Sequence, residues 1–235
     1  MNKFLVVAAN GKAGQKIVNE LIARDLDVTV AVRQANKTQA SQVIIKDLFD
    51  LNASDVKNFD IVIDAFGAWA PESLPQHTTS LEHLAAILAP NARLVIVGGA
   101  GSLYLDASHT VALKDSDGFP DAFKPLASAM GEGLAHLRTL DVDWTYISPA
   151  ADFVADGKKK GHYAIEGEVF STDDNGVSQI SYADYATALV DIATSDNYHK
   201  ARVSVRWQEV YVSFFVIFDL RRKKFCAILN IIYCV

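Results

Sequence analysis

The stretch of sequence that decides the fold is residues 7–14, Val-Ala-Ala-Asn-Gly-Lys-Ala-Gly. A continuously apolar run at residues 4–8 leads into it, which is typical of a parallel strand covered on both faces. The segment that follows, residues 13–24, repeats apolar side chains at helical spacing: Ile17, Val18, Leu21 and Ile22. A buried strand, a glycine-containing turn and a helix in this order predict a phosphate-binding turn.

The turn is predicted to hold the pyrophosphate of a dinucleotide. Gly11 is expected to let the backbone turn sharply, and Gly14 to let the helix pack close to the strand. The helix N-terminus offers free N–H groups and a partial positive charge to the phosphates, and Lys12 adds a further charge. The predicted contact residues are Ala8, Asn10, Gly11, Lys12, Ala13 and Gly14.

Arg33 directly follows a second predicted strand at residues 28–32. An acidic residue at this place would favour NAD, whereas an arginine suits the 2′-phosphate of NADP. The sequence therefore predicts NADP(H), with NAD(H) as the less favoured cofactor. A solvated strand-end arginine is the alternative. Asp47 is predicted to approach the adenine, and a plain surface carboxylate is an equal alternative.

Short apolar runs alternate with helical segments along the rest of the chain. The predicted strands are residues 43–45, 61–65, 94–97 and 144–147, with a possible last strand at 203–207, and the predicted helices are residues 81–88, 126–140 and 182–193. This alternation predicts a doubly wound parallel sheet of the Rossmann type in three α/β/α layers. The strand ends are predicted to line the cofactor through Ala65, Phe66, Gly67, Gly98, Gly99, Ser148, Pro149 and Ala150.

Composition narrows the function classes. The net charge of −6 argues against a protein that binds nucleic acid by bulk electrostatics. No apolar stretch approaches the ~20 residues of a membrane span, and two cysteines form neither a disulfide framework nor a zinc pattern. We expect a cytoplasmic protein, monomeric or homodimeric, with no metal site.

The sequence divides into a dinucleotide-binding domain at residues 1–205 and a tail at residues 206–235. The tail has two apolar pieces separated by a basic run at residues 221–224. An extra strand or helix packed on the domain, a membrane-surface or partner-binding segment, and a coding accident without a selected role all remain open.

Several motifs together resemble the atypical short-chain dehydrogenase/reductases of the NmrA-like NAD(P)H-binding group. Within it, the chain looks most like the bacterial NADH-flavin reductase type, relatives of biliverdin/flavin reductase. The resemblance covers residues 1–205 and rests on residues 11–14 with Arg33, and on segments 98–103, 119–125, 143–150 and 180–186. The chain departs from the family pattern at Ala8, where glycine is usual, at Asn10, where threonine is usual, at Phe123, where tyrosine is common, and in its tail.

The resemblance implies an NADP-type cofactor and reduction of a flavin, quinone or similar flat acceptor, or redox sensing without turnover. None of the eight tyrosines has a lysine four residues later, so carbonyl reduction by a Tyr-x-x-x-Lys pair is not expected, and a sugar-nucleotide epimerase is disfavoured. Ser102 and Lys124 are the candidate catalytic residues, with a loop-capping serine and a solvated lysine as alternatives. Trp69, Phe119 and Phe153 are candidates for an acceptor pocket, or for core.

Overall fold

The computed structural model describes residues 2–209 and the backbone of residues 211–219 and 224–232. The strands are β1 (Lys3–Val7), β2 (Asp27–Val32), β3 (Gln42–Ile45), β4 (Ile61–Asp64), β5 (Arg93–Val97), β6 (Asp143–Ser148), β7 (Asp152–Val154), β8 (Tyr163–Glu166), β9 (Gln179–Ser181), β10 (Ala201–Trp207), β11 (Tyr211–Asp219) and β12 (Lys224–Ile232). The helices are α1 (Lys12–Ala23), α2 (Ala53–Val56), α3 (Gln76–Ile87), α4 (Lys124–Leu137) and α5 (Tyr182–Thr194).

Eight strands form one sheet in the order β3-β2-β1-β4-β5-β6-β10-β8. Every pair is parallel except the antiparallel pair of β10 and β8. Apolar side chains of α1 and α5 cover one face, and those of α3 and α4 cover the other. The predicted Rossmann-type fold in three layers is therefore confirmed.

The strand order reverses at β1, which pairs with β2 on one side and β4 on the other. Ligands of such sheets bind where the carboxyl ends of the strands meet this reversal. We call that end of the sheet the ligand edge. It begins at Val7, Asp64, Val97 and Ser148, the last residues of β1, β4, β5 and β6. The end at which these strands begin is called the opposite edge.

Helix α3 starts earlier than predicted, at Gln76 rather than at residue 81. Its first turns bury His77 and Ser80, so two core positions carry polar side chains and the apolar pattern begins only at Leu81. The short strands β7 to β9 were not predicted, because three or four residues are too few for a clear alternation. The possible strand at residues 203–207 is confirmed as part of β10.

Strands β11 and β12 pair with each other from Tyr211↔Ile232 to Asp219↔Lys224 in a sheet of their own. Residues 221–223 of the basic run and residues 233–235 lie outside the described part of the chain. Strand β10 crosses the predicted boundary at residue 205, because it continues to Trp207. The division of the chain at residue 205 stays a prediction. In the described segments, no helix has both the length and the apolar character needed to cross a bilayer.

Candidate cofactor site and active site

The turn between β1 and α1 bends at Ala8, whose φ of 56° lies in the left-handed region. Gly11 has a φ of −66° and extended backbone, so the expectation that Gly11 supplies the sharp bend is wrong. The Gly11 amide donates to the Ala8 carbonyl over 3.1 Å and closes the turn. An alanine in this conformation costs roughly 1–2 kcal/mol relative to glycine, and the substitution at residue 8 therefore stores strain at the ligand edge.

Helix α1 begins without a side-chain cap and without an acidic residue in its first turn. Its first intrahelical bond runs from the Gln15 amide to the Gly11 carbonyl, over 2.9 Å. The preceding amides, those of Lys12, Ala13 and Gly14, are the free donors of a helix N-terminus. Uncapped amides and an uncompensated helix dipole together suit a pyrophosphate.

The two glycines of the turn serve different purposes. A Cβ at Gly14 would lie 2.8 Å from Cα and O of Ala9, so the predicted close packing of α1 on β1 requires glycine there. A Cβ at Gly11 would meet the Ala8 and Ala65 carbonyl oxygens at 3.4 and 4.0 Å, which is ordinary contact. Glycine at residue 11 places no side chain in front of the amides, which suits the close approach of a phosphate group.

Asn10 anchors the loop that follows β2. Its Nδ2 donates to the Ala35 carbonyl over 3.0 Å, and its Oδ1 accepts from the Lys37 amide over 2.8 Å. Both ends of the carboxamide are used inside the protein. Asn10 therefore shapes the adenosine side of the predicted site by holding this loop beside the turn.

Arg33 directly follows β2, and its side chain is 79% exposed. Its Nε lies 3.8 Å from Oδ2 of Asp47, which caps the turn after β3 by accepting from the Phe49 amide. So long and exposed an ion pair holds the guanidinium weakly. Arg33 and Asp47 thus share the edge beside β2 and β3, and the guanidinium is accessible to a ligand.

The segment after β4 comes next to the turn, because the Ala65 amide donates to the Val7 carbonyl over 3.1 Å. Phe66 is half-buried and its amide donates to Asp64 Oδ1 over 2.9 Å. Gly67 is exposed, and the Trp69 side chain beyond it is 72% exposed. This loop presents small residues near the turn and an aromatic ring to solvent.

Gly98 and Gly99 make room for side chains of α4 and β6. A Cβ at Gly98 would lie 2.2 Å from the ring of Tyr146, and one at Gly99 2.8 Å from the sulfur of Met130. The Gly99 amide also donates to the Tyr146 hydroxyl over 3.2 Å. Packing alone therefore demands both glycines, and their backbone stays at the ligand edge.

Ser102 and the end of β6 are joined by Arg202, which the sequence analysis did not identify. The Arg202 guanidinium donates from Nε to Ser148 Oγ over 3.1 Å and from Nη1 to the Ser102 carbonyl over 2.9 Å. Nη1 also pairs with Glu168 over 3.1 Å. Within residues 2–209, Arg202 Nη2 and Ser102 Oγ are buried without a hydrogen-bond partner, so this corner keeps unused polar groups.

Lys124 begins α4 and pairs with Asp121 over 2.7 Å, with its side chain 47% exposed. This carboxylate raises the pKa of the Lys124 ammonium, so it stays charged. One turn further along α4, the Cβ of Ala127 lies only 2.5 Å from the position that a Cβ at Gly101 would take. The start of α4 and the Ser102 segment are therefore neighbours, and no contact joins the two predicted catalytic side chains among the described residues.

The three candidate acceptor-pocket aromatics separate in the structure. Phe119 lies beside Gly101 at the ligand edge, and Trp69 is exposed. Phe153 packs against Tyr182 and Tyr185, with ring centroids 3.9 and 4.8 Å apart, and it borders the core. Phe153 therefore belongs to the core. Throughout the described residues no cluster of histidine, cysteine and acidic side chains is placed to hold a metal ion.

A polar cavity beneath the ligand edge was also missed by the sequence analysis. Asp64, His77, Ser80 and Tyr146 line it together with apolar residues, and it measures about 10 Å³, room for a single water molecule. The one available sequence signal for this cavity was the Ile-Val-Ile-Asp run of β4, which places a carboxyl at the end of a buried strand.

Pro149 and Ala150, which follow β6, are buried beside Ser178 and Arg206.

Comparison with known proteins agrees with this geometry. The profile of a family described as NAD(P)H-binding matches residues 8–196. The Bacillus subtilis protein YwnB is 41% identical over 208 residues, which are 86% of this chain and 97% of YwnB.

Two solved structures are similar as well. A Streptococcus pneumoniae protein provisionally assigned as an NADH-flavin reductase is 48% identical, with a TM-score of 0.86 over 88% of this chain and 100% of that chain. A Bacteroides thetaiotaomicron protein provisionally assigned as an epimerase is 28% identical, with a TM-score of 0.77 over 89% of this chain and 99% of that chain. With a family match over most of its length, the chain belongs to the NAD(P)H-binding family and takes a nicotinamide dinucleotide as its cofactor.

Proposed function

We propose that the protein is an NADPH-preferring reductase that passes a hydride to a flat two-electron acceptor, a flavin or a quinone. The observation that carries the proposal is that the chain has both an uncapped N-terminus of helix α1 and an accessible guanidinium at Arg33. The first suits a pyrophosphate and the second a 2′-phosphate. The S. pneumoniae relative supports the flavin as acceptor through its own provisional assignment.

Different residues of the chain bind different parts of the cofactor. The amides of Lys12, Ala13 and Gly14 hold the pyrophosphate, Arg33 neutralises the 2′-phosphate, and Asp47 lies on the adenine side. The segments at residues 65–67, 98–99 and 148–150 border the ribose and nicotinamide. When bound, the cofactor supplies the hydride, so the protein has to position two flat rings and exclude water.

The acceptor side is built from fewer groups. Trp69 and Phe119 offer aromatic surface beside the segments at residues 65–67 and 98–102. Ser102 and Lys124 remain the candidate catalytic residues, Ser102 as a hydrogen-bond donor with an unused hydroxyl and Lys124 as a cation at the start of α4. The missing Tyr-x-x-x-Lys pair argues against carbonyl reduction and against epimerase chemistry, because no phenol is activated for proton transfer.

The first experiment is a titration of the purified protein with NADPH and NADH beside Arg33→Ala. We expect NADPH to bind at least tenfold more tightly than NADH, and the variant to lose this preference while NADH affinity stays unchanged. Charge-assisted bonds to a phosphate contribute roughly 1.5–3 kcal/mol, which sets that scale. Because Arg33 is exposed, the variant should fold normally.

The matched control is Lys57→Ala, which removes an exposed cation at the end of α2, towards the opposite edge. It changes the net charge equally and should leave the preference intact. Equal affinity for both nucleotides in the wild-type protein would contradict the NADPH preference. Steady-state oxidation of NADPH with FMN, FAD and small quinones then tests the acceptor, and absence of turnover with all of them would favour a nucleotide-sensing regulator.

A further inference from the structure

Asp64 is a buried carboxyl at the end of β4, with 3% of its surface exposed. Its backbone neighbours on the adjacent strands are Val7 of β1 and Ile96 of β5, both apolar. Among the described residues its side chain has one hydrogen bond, which Oδ1 accepts from the Phe66 amide over 2.9 Å. The carboxyl thus stands in an apolar frame and borders a cavity the size of one water molecule.

No cation compensates this carboxyl within residues 2–209. The titratable groups that face it are His77 of α3 and Tyr146 of β6, across the cavity. Burial lowers the pKa of the His77 imidazole and raises the pKa of the Tyr146 phenol, so both are neutral near pH 7. Arg202 lies beyond Tyr146 and is already paired with Glu168. Burial accordingly raises the pKa of Asp64 to about 6.

A structural role does not account for the carboxyl. The bond from the Phe66 amide needs only an oxygen acceptor, which an asparagine side chain would supply equally well. Ionising an unpaired buried carboxyl, in contrast, costs free energy at neutral pH. What Asp64 offers beyond an amide is an exchangeable proton and a negative charge that nothing in the described protein neutralises.

The cavity borders the segment predicted to carry the nicotinamide. Its walls include Val97, the last residue of β5, and Met130, against which Gly99 packs. The Tyr146 hydroxyl accepts from the Gly99 amide, so a lining side chain also holds that segment. The charge on Asp64 is therefore close to the region where the charge of the cofactor changes during reduction.

We propose that Asp64 is a redox-linked proton site, which holds its proton more tightly while reduced nucleotide is bound than while the oxidised, cationic nicotinamide is bound. The idea rests on the proposed function for the placement of the nicotinamide. In turnover, the acceptor would gain a hydride from the bound cofactor and one proton, and the breaking O–H bond of Asp64 would supply that proton. Each flavin or quinone thereby takes up two electrons and two protons, and Asp64 regains its proton from water before the next cycle.

The test is the ratio of NADP⁺ to NADPH affinity between pH 5 and pH 8, measured by calorimetric titration. In the wild-type protein we expect the ratio to shift about tenfold towards NADP⁺ as the pH rises, because a neighbouring cation lowers the pKa of a carboxyl by about one unit or more. The 2′-phosphate titrates in both nucleotides, so its contribution cancels in the ratio. Asp64→Asn should give a ratio independent of pH.

Ser80→Ala is the control, because it changes the same cavity without removing a titratable group, and it should keep the wild-type slope. A measurement on the wild-type protein alone also tests the proposal. Repeating the titration near pH 6 in buffers of different ionisation enthalpy should show more proton release on binding NADP⁺ than on binding NADPH, because the 2′-phosphate contributes equally to both and Asp64 only to the difference.

A ratio that is flat in the wild-type protein would overturn the proposal, as would an unchanged slope in Asp64→Asn, which would assign the titration to another group such as His77. Neither outcome requires an acceptor. A failure of the proton linkage is therefore distinguishable from a failure of the reductase function, which shows in turnover and in the NADPH preference.

Discussion

The ligand edge and the opposite edge of the central sheet each bury an arginine, and the two are bonded differently. Arg93, at the start of β5, uses all three nitrogens, which reach Thr145 Oγ1 and the carbonyls of Ser195 and Asn197 over 2.6 to 3.0 Å. Arg202 binds the Ser102 carbonyl, and in the described part of the chain its Nη2 and the Ser102 hydroxyl have no hydrogen-bond partner.

The carboxyls differ in the same way, whereas backbone strain occurs at both edges. Asp64 at the end of β4 is buried without a cation among the described residues, whereas Asp60 just before β4 accepts from the Lys3 amide over 2.8 Å at the surface. Ala8 at the ligand edge and Asp25 at the opposite edge both have positive φ, 56° and 55°, but aspartate tolerates that conformation better than alanine. Tyr198 and Lys200 at the opposite edge also have positive φ, 64° and 47°, and Oδ1 of Asp143 there lacks a partner in the described part of the chain. The difference between the edges therefore lies in the buried arginines and in Asp64, as expected where one edge binds a ligand and the other only stabilises the fold.

The largest effect is expected from removing the two arginines. Arg93→Met removes the donors to two carbonyls and to Thr145 Oγ1, which keeps only its own bond to the Tyr198 carbonyl, and it should lower the free energy of unfolding by about 3 kcal/mol or more. Arg202→Met should cost about 1 kcal/mol less, because one nitrogen was unpaired and Glu168 keeps its bond to Arg138. Urea denaturation measures both, and nucleotide titration should show weaker binding only for Arg202→Met. An equal or larger loss of stability for Arg202→Met would remove the contrast between the edges.

A smaller effect, with a definite pH dependence, is expected for Asp64→Asn. The pKa of Asp64 in the folded protein, about 6, lies above its ordinary value of 3.8. The protonated carboxyl therefore favours folding below about pH 4, and this contribution is lost as the pH rises through about 6. Urea denaturation at pH 8 should find the variant more stable by up to about 3 kcal/mol, with the gain vanishing near pH 4.

Asp60→Asn is the control for this pH dependence at the other end of the same strand. Its carboxylate is at the surface, so we expect a small change in stability that varies little across this range. The difference in free energy of unfolding between Asp64→Asn and the wild-type protein should therefore change with pH. A difference that stays constant from pH 4 to pH 8 would contradict the assignment of an uncompensated carboxyl to the ligand edge.

The smallest effect is expected for Ala8 and Asp25, two of the residues of positive φ. Ala8→Gly should stabilise the protein by about 1 kcal/mol, because glycine adopts the left-handed region without a Cβ clash. Asp25→Gly should gain only a few tenths of a kcal/mol. Thermal melts compare the two, and a loss of stability in Ala8→Gly would show that the turn carries no strain.

The sequence predicted the fold correctly where local patterns carry the information, and the cofactor contacts of the candidate site stay predictions. The apolar run before residues 7–14, the helical spacing after it and the alternation of strands and helices are all local, and Gly14 meets Ala9 as its place in the turn suggested. The role of Gly11 was misjudged, because the left-handed position falls on Ala8 and a backbone angle cannot be read from composition.

Residues whose roles depend on distant partners were not found. Arg202 acts through Ser102 and Ser148, which lie 100 and 54 positions earlier in the chain. The first turns of α3 were missed because His77 and Ser80 occupy buried positions, and their polarity only makes sense beside the cavity that they line.

The sequence by itself determined the Rossmann-type architecture, the glycine-containing turn between β1 and α1 and the position of Arg33 after β2, because each follows from periodicity or from spacing within about thirty residues. The tertiary structure alone decided that Asp64 has no counter-ion among the described residues, that Arg202 joins the Ser102 segment to the end of β6, and that Phe153 belongs to the core. The physical reason is that a charge or a ring acquires its effect from what surrounds it, and packing brings those surroundings together from segments far apart in the chain.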